Sequence, residues 1–210
     1  MFPHRQRVIT YIDGFNLYFG LKEKMWRKYY WLDMRRLSLN LLKPNQTLTA
    51  VKYFTSRISS KIGQSGKSKR QNTYLEALAT LKDTTLFFGK YEADILVCQH
   101  CGKQNALPKE KQTDVNIANE LLVDAHLNNF DTAILISGDS DLLAPVSTIV
   151  NNFTSKSLII AFPPKRVSVD LKNSGAIPYY ISRRNIAKSQ LPLEIKKQDG
   201  FILTRPKEWS

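Results

Sequence analysis

Residues 8–18 read VITYIDGFNLY, and this stretch decides the fold class. Its first part, residues 8–12, is a short apolar run of the kind that forms a buried strand. The run ends at Asp13, and Gly14 then leads into a segment with the character of a helix start, which contains Asn16. A buried strand followed at once by a helix predicts the first β–α unit of an α/β domain.

The same alternation of strands and helices continues along the rest of the chain. Other short apolar runs predict buried strands at residues 50–54, 85–88, 133–136, 158–162 and 177–181. Helical periodicity predicts helices at residues 69–81, 114–127 and 142–153. We therefore predict a three-layer α/β domain with a mostly parallel sheet flanked by helices. The carboxyl ends of such strands share one edge, where open α/β sheets bind their ligands.

Length and composition exclude several classes of protein. The chain has 210 residues, of which 42% are hydrophobic and 23% are charged, so wholesale disorder is excluded. No apolar run approaches the roughly 20 residues that span a bilayer, and the first residues lack the apolar stretch of a signal peptide. Two cysteines three residues apart exclude the disulfide framework of a small secreted protein. We expect a soluble, cytoplasmic protein with no membrane partner.

Charge is segregated along the sequence. The formal net charge is +13, and residues 34–75 contain nine basic residues and no acidic residue. By contrast, residues 112–162 contain six carboxylates and one lysine. A surface whose charge serves only solubility has no reason to separate in this way. The pattern favours a protein that binds a polyanion and also holds a cation.

Three acidic motifs fall where this architecture predicts a site. The first predicted strand ends at Asp13, and the motif ILISGDSDLLAPV places Asp139 and Asp141 between a strand and a helix. In the motif EKQTDVNIANEL, Asp114 lies in the first turn of a predicted helix. Carboxylates that converge repel each other unless a cation joins them, and oxygen ligands favour hard ions such as Mg²⁺ or Mn²⁺. The sequence therefore predicts a divalent-metal site at this edge of the sheet.

Each of these carboxylates also has a simpler interpretation. Asp141 could cap a helix, and Asp114 could stabilise its own helix through the helix dipole. Small polar clusters such as SGDSD occur at many strand-to-helix turns. These interpretations do not explain why three independent element ends all carry carboxylates, so the combination favours the metal site.

The three motifs in this order resemble those of the NYN domain family, a branch of the PIN-like nucleases. The resemblance is carried by IDGFN near the start of the chain, by K-x-x-D-V at residues 111–115 and by S-G-D-S-D. It covers residues 6–182 and leaves residues 183–210 as a C-terminal extension. It implies a Rossmann-like domain in which an acidic cluster binds Mg²⁺ or Mn²⁺ and hydrolyses RNA phosphodiester bonds.

The resemblance also assigns individual residues to the site. The catalytic and metal-binding carboxylates would be those of four residues, namely Asp13, Asp114, Asp139 and Asp141. Asp13 and Asp139 are expected to be the innermost ligands. Asn16 would be a further catalytic residue, and Asn16 and Ser137 would orient the ligands or the substrate phosphate. All four acidic positions are occupied, so the sequence gives no sign of an inactive site.

Basic residues outside the acidic centre are candidates for binding the RNA backbone. We predict this role for Lys61, Lys67, Lys69, Arg70, Lys111, Lys165 and Arg166. The first four lie in SSKIGQSGKSKR, which is predicted to be a flexible basic loop. The pair at residues 165–166 follows a predicted strand and so borders the site, whereas Lys111 is equally well explained as a solvated lysine. Contacts of this kind supply affinity and salt dependence without sequence preference.

Two further motifs have both a functional and a plainer interpretation. Tyr29, Tyr30 and Trp31 follow two basic residues and could stack on unpaired bases, although packing in the core and at its rim is commoner for such a run. Cys98 and Cys101 form a CxxC pair, which supplies two of the four ligands of a structural zinc ion. A turn with two reduced thiols is favoured. A Zn²⁺ site shared between the subunits of a homodimer is the alternative.

The sequence as a whole predicts a metal-dependent endoribonuclease that acts on single-stranded or loop regions of RNA. The alternative is an RNA-binding or regulatory module with weak or no catalysis on the same fold. A small-molecule phosphohydrolase does not account for the basic stretch at residues 34–75. A dinucleotide-binding role is disfavoured because no G-x-G-x-x-G follows the first strand. The sequence leaves open the identity of the RNA, whether cuts are internal or terminal, the number of metal ions and the oligomeric state.

Overall fold

The computed structural model describes residues 5–58, 65–97, 100–102 and 104–210. Ten strands are assigned in this part of the chain: β1 (Gln6–Asp13), β2 (Gln46–Thr55), β3 (Thr84–Phe88), β4 (Lys90–Val97), β5 (Gln104–Lys111), β6 (Thr132–Ile136), β7 (Ser157–Phe162), β8 (Ile177–Tyr180), β9 (Glu194–Lys196) and β10 (Ile202–Thr204). Six of them form the central sheet in the order β3-β2-β1-β6-β7-β8, and every neighbouring pair is parallel. All six strands predicted from the sequence belong to this sheet.

Helices cover both faces of the sheet, which confirms the predicted three-layer α/β architecture. They are α1 (Gly14–Glu23), α2 (Met34–Leu39), α3 (Ser65–Ala79), α4 (Thr113–His126), α5 (Leu143–Asn152), α6 (Val169–Lys172) and α7 (Arg183–Lys188). Short 3-10 helices lie at Arg27–Tyr29, Ser140–Leu142 and Lys207–Trp209. Across the described residues, no helix combines the length and the apolar character that a membrane crossing requires.

Strand β1 shows why the sheet is buried on both faces. Successive side chains of a strand point to opposite faces, and here both sets are apolar. Val8 and Ile12 pack into the core on the side of α1, α2 and α3. Ile9 and Tyr11 pack into the second core, on the side of α4 and α5. Because apolar burial anchors both sides of β1, its register is fixed, and so is the position of Asp13 at its end.

The segment after residue 182 packs against the first of these cores. Four of its apolar side chains are at most 8% exposed, namely Ile186, Leu191, Leu203 and Trp209. The indole nitrogen of Trp31 donates a hydrogen bond of 2.6 Å to the carbonyl of Pro192. The ring of Trp209 contacts the rings of Tyr30, Trp31 and Tyr74. The last residues of the described chain therefore lie beside α3 and the 3-10 helix at Arg27–Tyr29.

The basic stretch at residues 59–70 differs from the sequence prediction. Helix α3 begins at Ser65, before the predicted helix start at residue 69, so Lys67 lies on a helix and not in a flexible loop. Lys69 and Arg70, which fell in both the predicted loop and the predicted helix, lie on the same helix. The stretch has no apolar residue between Ser65 and Arg70, so its sequence carries no helical periodicity that could have revealed this turn. Lys61 lies outside the described residues.

The antiparallel hairpin of β4 and β5 was not predicted from the sequence. Strand β5 contains a proline and five charged or amide residues in QNALPKEK, and the alternation typical of a strand is absent. The hairpin ends at Lys111, and Gln112, with a φ of 75°, turns the chain into α4. Cys101 lies exposed between the two strands with a free thiol, while Cys98 lies outside the described residues, so the predicted thiol turn is not tested.

Candidate metal centre and adjoining cavity

Three element ends bring carboxylates together at the carboxyl edge of the sheet. Strands β1 and β6 are neighbours, with Ile12 paired to Ile136, so Asp13 lies beside the turn that follows β6. One carboxylate oxygen from each of Asp13, Asp114 and Asp139 lies within 4.8 Å of the other two. Two of these carboxylates come from strand ends, and the third comes from the first turn of α4.

Asp13 is the buried member of this cluster, with only 4% of its surface exposed. Its Oδ1 accepts a hydrogen bond of 2.9 Å from the backbone N–H of Asn16, which caps α1. Its Oδ2 accepts one of 2.9 Å from the hydroxyl of Ser137. Burial raises the pKa of Asp13 to about 7, with a further push from the charges of Asp114 and Asp139, although the two hydrogen bonds oppose the rise. Burial and the neighbouring carboxylates therefore disfavour the charged form of Asp13 more than its two hydrogen bonds favour it.

Ser137 and Asn16 hold the two neighbouring strand ends in register. The Ser137 side chain is fully buried, and its oxygen accepts a hydrogen bond of 3.0 Å from the backbone N–H of Asp139 while donating to Asp13. The Asn16 side-chain oxygen accepts a hydrogen bond of 2.9 Å from the backbone N–H of Gly138. Both side chains therefore connect the β1–α1 junction to the turn after β6.

The turn after β6 is packed too tightly for any side chain at Gly138. A Cβ atom built there would lie 2.2 Å from the backbone oxygen of Arg166, which belongs to the loop after β7. The loops after β6 and β7 are thus in direct contact, which places Lys165 and Arg166 next to the turn that carries Asp139. This agrees with their predicted position at the border of the site.

Asp141 does not belong to the group of three converging carboxylates. Its backbone N–H donates a hydrogen bond of 3.1 Å to Oδ1 of Asp139, which caps the short 3-10 helix at Ser140–Leu142. Its side chain is exposed. Its assignment as a metal ligand stays a prediction, as does that of the other acidic residues.

The predicted basic residues have different surroundings. Lys67 and Lys69 are exposed on α3, and the guanidinium of Arg70 pairs at 2.7 Å with Glu208. Arg166 pairs with Glu23 and lies over the ring of Phe19. Lys111 is exposed at the end of β5, and Lys165 is exposed after β7. None of these contacts tests a role in RNA binding.

A cavity of about 500 Å³ adjoins the acidic cluster on the side of α1 and α3. Aromatic rings form much of its wall, namely those of Phe15, Tyr18, Tyr30, Tyr53, Tyr74 and Trp209. Its floor includes Gly14, the residue directly after Asp13. A Cβ atom at Gly14 would lie 2.5 Å from the Tyr53 hydroxyl, so only glycine allows this close approach.

Four cations lie along the same cavity: Lys22, Arg27, Lys67 and Arg70. Burial raises the pKa of Tyr18, and the charges of Arg70 and Arg27 oppose that rise, which shows that both guanidinium groups lie near the phenol. Burial also raises the pKa of Tyr53, and the charge of Asp13 adds to the rise, so the Tyr53 hydroxyl stays protonated.

Sequence reasoning identified only parts of this cavity. Of the aromatic run at residues 29–31, Trp31 is fully buried, which confirms the packing interpretation for that residue. Tyr30 is half-buried at the cavity wall. Tyr53 and Trp209 were not identified, because the cavity is built from residues as far apart as 14 and 209. No local pattern in the sequence could have connected them.

These features define a three-layer α/β domain with an acidic centre at the carboxyl edge of its sheet. Residues 7–182 match the family model of the NYN domain. The chain therefore belongs to the NYN domain family of PIN-like nucleases.

Two other proteins are similar to this chain. A protein of Pseudomonas putida (strain DSM 28022 / S16), named 6-hydroxy-3-succinoylpyridine 3-monooxygenase HspA, is 26% identical to it, over 99% of this chain and 76% of that protein. A crystal structure of a protein of unknown function from Vibrio parahaemolyticus RIMD 2210633 superposes with a TM-score of 0.56 and 16% identity. The superposition covers 91% of this chain and 99% of the Vibrio protein, which shows that the two proteins share a fold.

Proposed function

We propose that this protein is a divalent-metal-dependent ribonuclease that hydrolyses phosphodiester bonds within RNA. The observation that carries the proposal is the convergence of Asp13, Asp114 and Asp139, whose carboxylate oxygens lie within 4.8 Å of one another. Membership of a PIN-like nuclease family supports the same activity. The net charge of +13 supports a polyanionic substrate.

The residues at the cluster suit Mg²⁺ or Mn²⁺. The donor set consists of carboxylate oxygens, which are the ligands that hard cations prefer. Asp13 is buried beside two other carboxylates, and a cation between them would offset the repulsion that contributes to the raised pKa of Asp13. Asp13, Asp114 and Asp139 would hold the ion. When bound, such an ion lowers the pKa of a coordinated water and stabilises negative charge on phosphate oxygens.

Other residues would position this centre and its substrate. Ser137 fixes the orientation of the Asp13 carboxylate through its hydroxyl, and Asn16 fixes the turn that carries Asp139. Asp141 is two positions after Asp139 in the chain, with Ser140 between them. Its side chain would contact the substrate or a bound water. The basic residues on α3 and after β7 would bind backbone phosphates on either side.

The test is cleavage of an end-labelled, mixed-structure RNA in Mg²⁺, Mn²⁺ or EDTA. We expect cleavage with either ion and none in EDTA, and we expect Asp13→Asn to abolish cleavage while RNA binding is kept or becomes tighter. Asp33→Asn is a matched control, because Asp33 is also a buried aspartate that caps a helix, α2, and lies outside the cluster. This control should cleave at the wild-type rate. Equal cleavage by wild type and Asp13→Asn would refute the proposal.

A second candidate is a site for a small aromatic compound. The name of the Pseudomonas relative indicates that it acts on a substituted pyridine. The aromatic walls and basic residues of the cavity are the observation in this chain that favours such a ligand. Absence of RNA cleavage and of salt-dependent RNA binding would favour this second candidate. Salt-dependent binding without cleavage would instead favour a non-catalytic RNA-binding module.

A further inference from the structure

We propose that the aromatic cavity receives one base of a single-stranded RNA whose adjoining phosphodiester lies at the three carboxylates. The inference rests on the proposed ribonuclease function, because it assigns a binding place to one nucleotide of that substrate. It concerns the space between α1, β2 and α3, which lies outside the cluster of carboxylates.

The cavity and the acidic centre are neighbours through two consecutive residues of the chain. Gly14 forms part of the floor, and Asp13 precedes it in the chain. Tyr53 also lines the floor, with 5% of its surface exposed. Its hydroxyl forms no hydrogen bond with any residue in the part of the chain that the structure describes. This hydroxyl is not one of the fully buried polar atoms that lack a partner among the described residues, so it is accessible from the cavity and could hydrogen-bond a polar edge of a ligand.

The walls have the chemistry that binds a flat, unsaturated ring. The ring centroids of Tyr18 and Tyr30 lie 5.1 Å apart, and those of Tyr30 and Trp209 lie 5.9 Å apart. The three rings thus form a connected aromatic surface, and Tyr18, which is 39% exposed, is its accessible edge. Base stacking on such surfaces binds single-stranded nucleic acids with little sequence preference. The volume of about 500 Å³ is in the usual range for a site of this kind.

The charge along the cavity selects an anionic ligand. Its lining contains four cationic side chains, and among the described residues no aspartate or glutamate lines it. One of the four cationic side chains, that of Arg70, forms an ion pair with Glu208, which does not line the cavity. Lys67 is exposed on the same helix, one turn before Arg70. Cations that come from α1, from the 3-10 helix after it and from α3 suit several phosphates along a strand better than a single carboxylate.

The test uses three small probes and the full chain in EDTA, where no metal can hold a phosphate. The probes are AMP, ribose 5-phosphate, which has the phosphate without the base, and nicotinate, a small aromatic acid. Isothermal titration calorimetry gives the affinity for each. We expect AMP to bind at least about fivefold more tightly than ribose 5-phosphate, with binding that weakens as salt increases.

Variants of Tyr18 locate the AMP at this cavity. Tyr18→Ala should weaken AMP binding by at least about fivefold, and Tyr18→Phe, which keeps the ring, should bind AMP as the wild type does. Tyr179→Ala is the matched control, because Tyr179 is 37% exposed but lies on the edge strand β8, away from the cavity. It should leave AMP binding unchanged. Equal losses in Tyr18→Ala and Tyr179→Ala would overturn the inference.

The outcomes separate this inference from the ribonuclease proposal. AMP that binds no better than ribose 5-phosphate, in a protein whose RNA cleavage is lost in Asp13→Asn, would overturn the base site and leave the ribonuclease standing. Tyr18-dependent AMP binding without any RNA cleavage would support the nucleotide site and refute the ribonuclease. Tight binding of nicotinate without binding of AMP would overturn the inference in favour of a small aromatic acid.

Discussion

Asp13 and Asp124 are both 4% exposed, and strand β1 contacts both: Asp13 ends it, and Tyr11 donates a hydrogen bond of 2.5 Å to Asp124. Their surroundings differ in the source of positive charge. Lys52 lies 2.5 Å from Asp124, whereas Asp13 faces two further carboxylates. Equal burial therefore leads to opposite electrostatic situations.

The pKa values of the two side chains shift in opposite directions. Burial alone would raise the pKa of Asp124, but hydrogen bonds from Asn129, Lys52 and Tyr11, with the charge of Lys52, hold it below its ordinary value. Burial raises the pKa of Asp13 to about 7. The comparison teaches that the charge of Asp124 is compensated within the fold, whereas burial and two neighbouring carboxylates disfavour the charge of Asp13, which a bound cation would stabilise.

The largest expected difference lies between the asparagine variants of these two residues. Asp13→Asn should lower RNA cleavage by more than the roughly 10- to 100-fold that is typical for partners of metal ligands. Asp124→Asn should instead lower the free energy of unfolding by about 2 kcal/mol, because it replaces the ion pair between Lys52 and Asp124 by a contact with a neutral amide. Cleavage rates and urea unfolding of both variants measure the two effects. If Asp124→Asn lost cleavage while it stayed folded, the comparison would fail.

The second expectation concerns pH. An aspartate in an unfolded chain has a pKa of about 3.9, so the folded protein, where the pKa of Asp13 is about 7, binds this proton more tightly. In EDTA, Asp13 should lower the free energy of unfolding by up to about 4 kcal/mol as pH rises from about 4 to about 7. Asp124 acts in the opposite sense, since its contribution is present above about pH 4 and is lost as pH falls through its depressed pKa.

Chemical denaturation at pH 5 and pH 7.5 measures this dependence. The metal-free wild type should lose stability between the two values, and Asp13→Asn should lose clearly less. Parallel curves for the two proteins would show that Asp13 titrates in the folded state as it does in the unfolded chain.

A smaller effect is expected from the hydrogen-bond donors to the two aspartates. Ser137→Ala removes the donor to Oδ2 of Asp13 and should lower cleavage by roughly 10- to 100-fold with little change in stability. Tyr11→Phe removes a donor to Asp124 and should lower stability by about 1 kcal/mol with unchanged cleavage at a temperature where it is folded. Steady-state kinetics and thermal unfolding of both variants are the measurements. Loss of stability in Ser137→Ala together with loss of cleavage in Tyr11→Phe would contradict the roles given to Asp13 and Asp124.

The smallest effect is expected from exposed cations. Lys52 is compensated inside the fold by Glu120 and Asp124, whereas Lys67 and Lys69 are exposed. Replacing Lys67, Lys69 and Arg70 together by alanine should weaken RNA binding and lower the slope of log affinity against log salt by about 2. Fluorescence anisotropy with a labelled single strand at several salt concentrations measures this slope. An unchanged slope would remove α3 from the path of the RNA.

Much of the fold could be predicted because it depends on local patterns. Each strand of the central sheet contains a short apolar run. Asp13 directly follows one such run, and Asp139 follows another after Ser137 and Gly138. Parallel neighbours then bring strand ends to one edge, which is why these side chains meet Asp114. The cluster of three carboxylates follows from local sequence and topology together.

Features that depend on distant partners could not be predicted. Lys52 and Asp124 are 72 residues apart, and nothing in either local sequence shows that they form an ion pair. The cavity joins Tyr53 and Trp209, which meet only because the C-terminal segment packs against α3. The start of α3 could not be predicted for another reason. Its first residues, 65–70, contain no apolar side chain, so they show no helical periodicity.

The most direct test of the central claim is calorimetric titration of Mn²⁺ into the metal-free protein near pH 7. Wild type and Asp124→Asn should bind the ion with the same affinity, and Asp13→Asn should bind it at least about tenfold more weakly. Binding to the wild type should also release a fraction of a proton, seen as a difference between buffers, because the pKa of Asp13 is about 7 without the ion. Equal affinity of all three proteins would contradict the claim that a cation compensates Asp13.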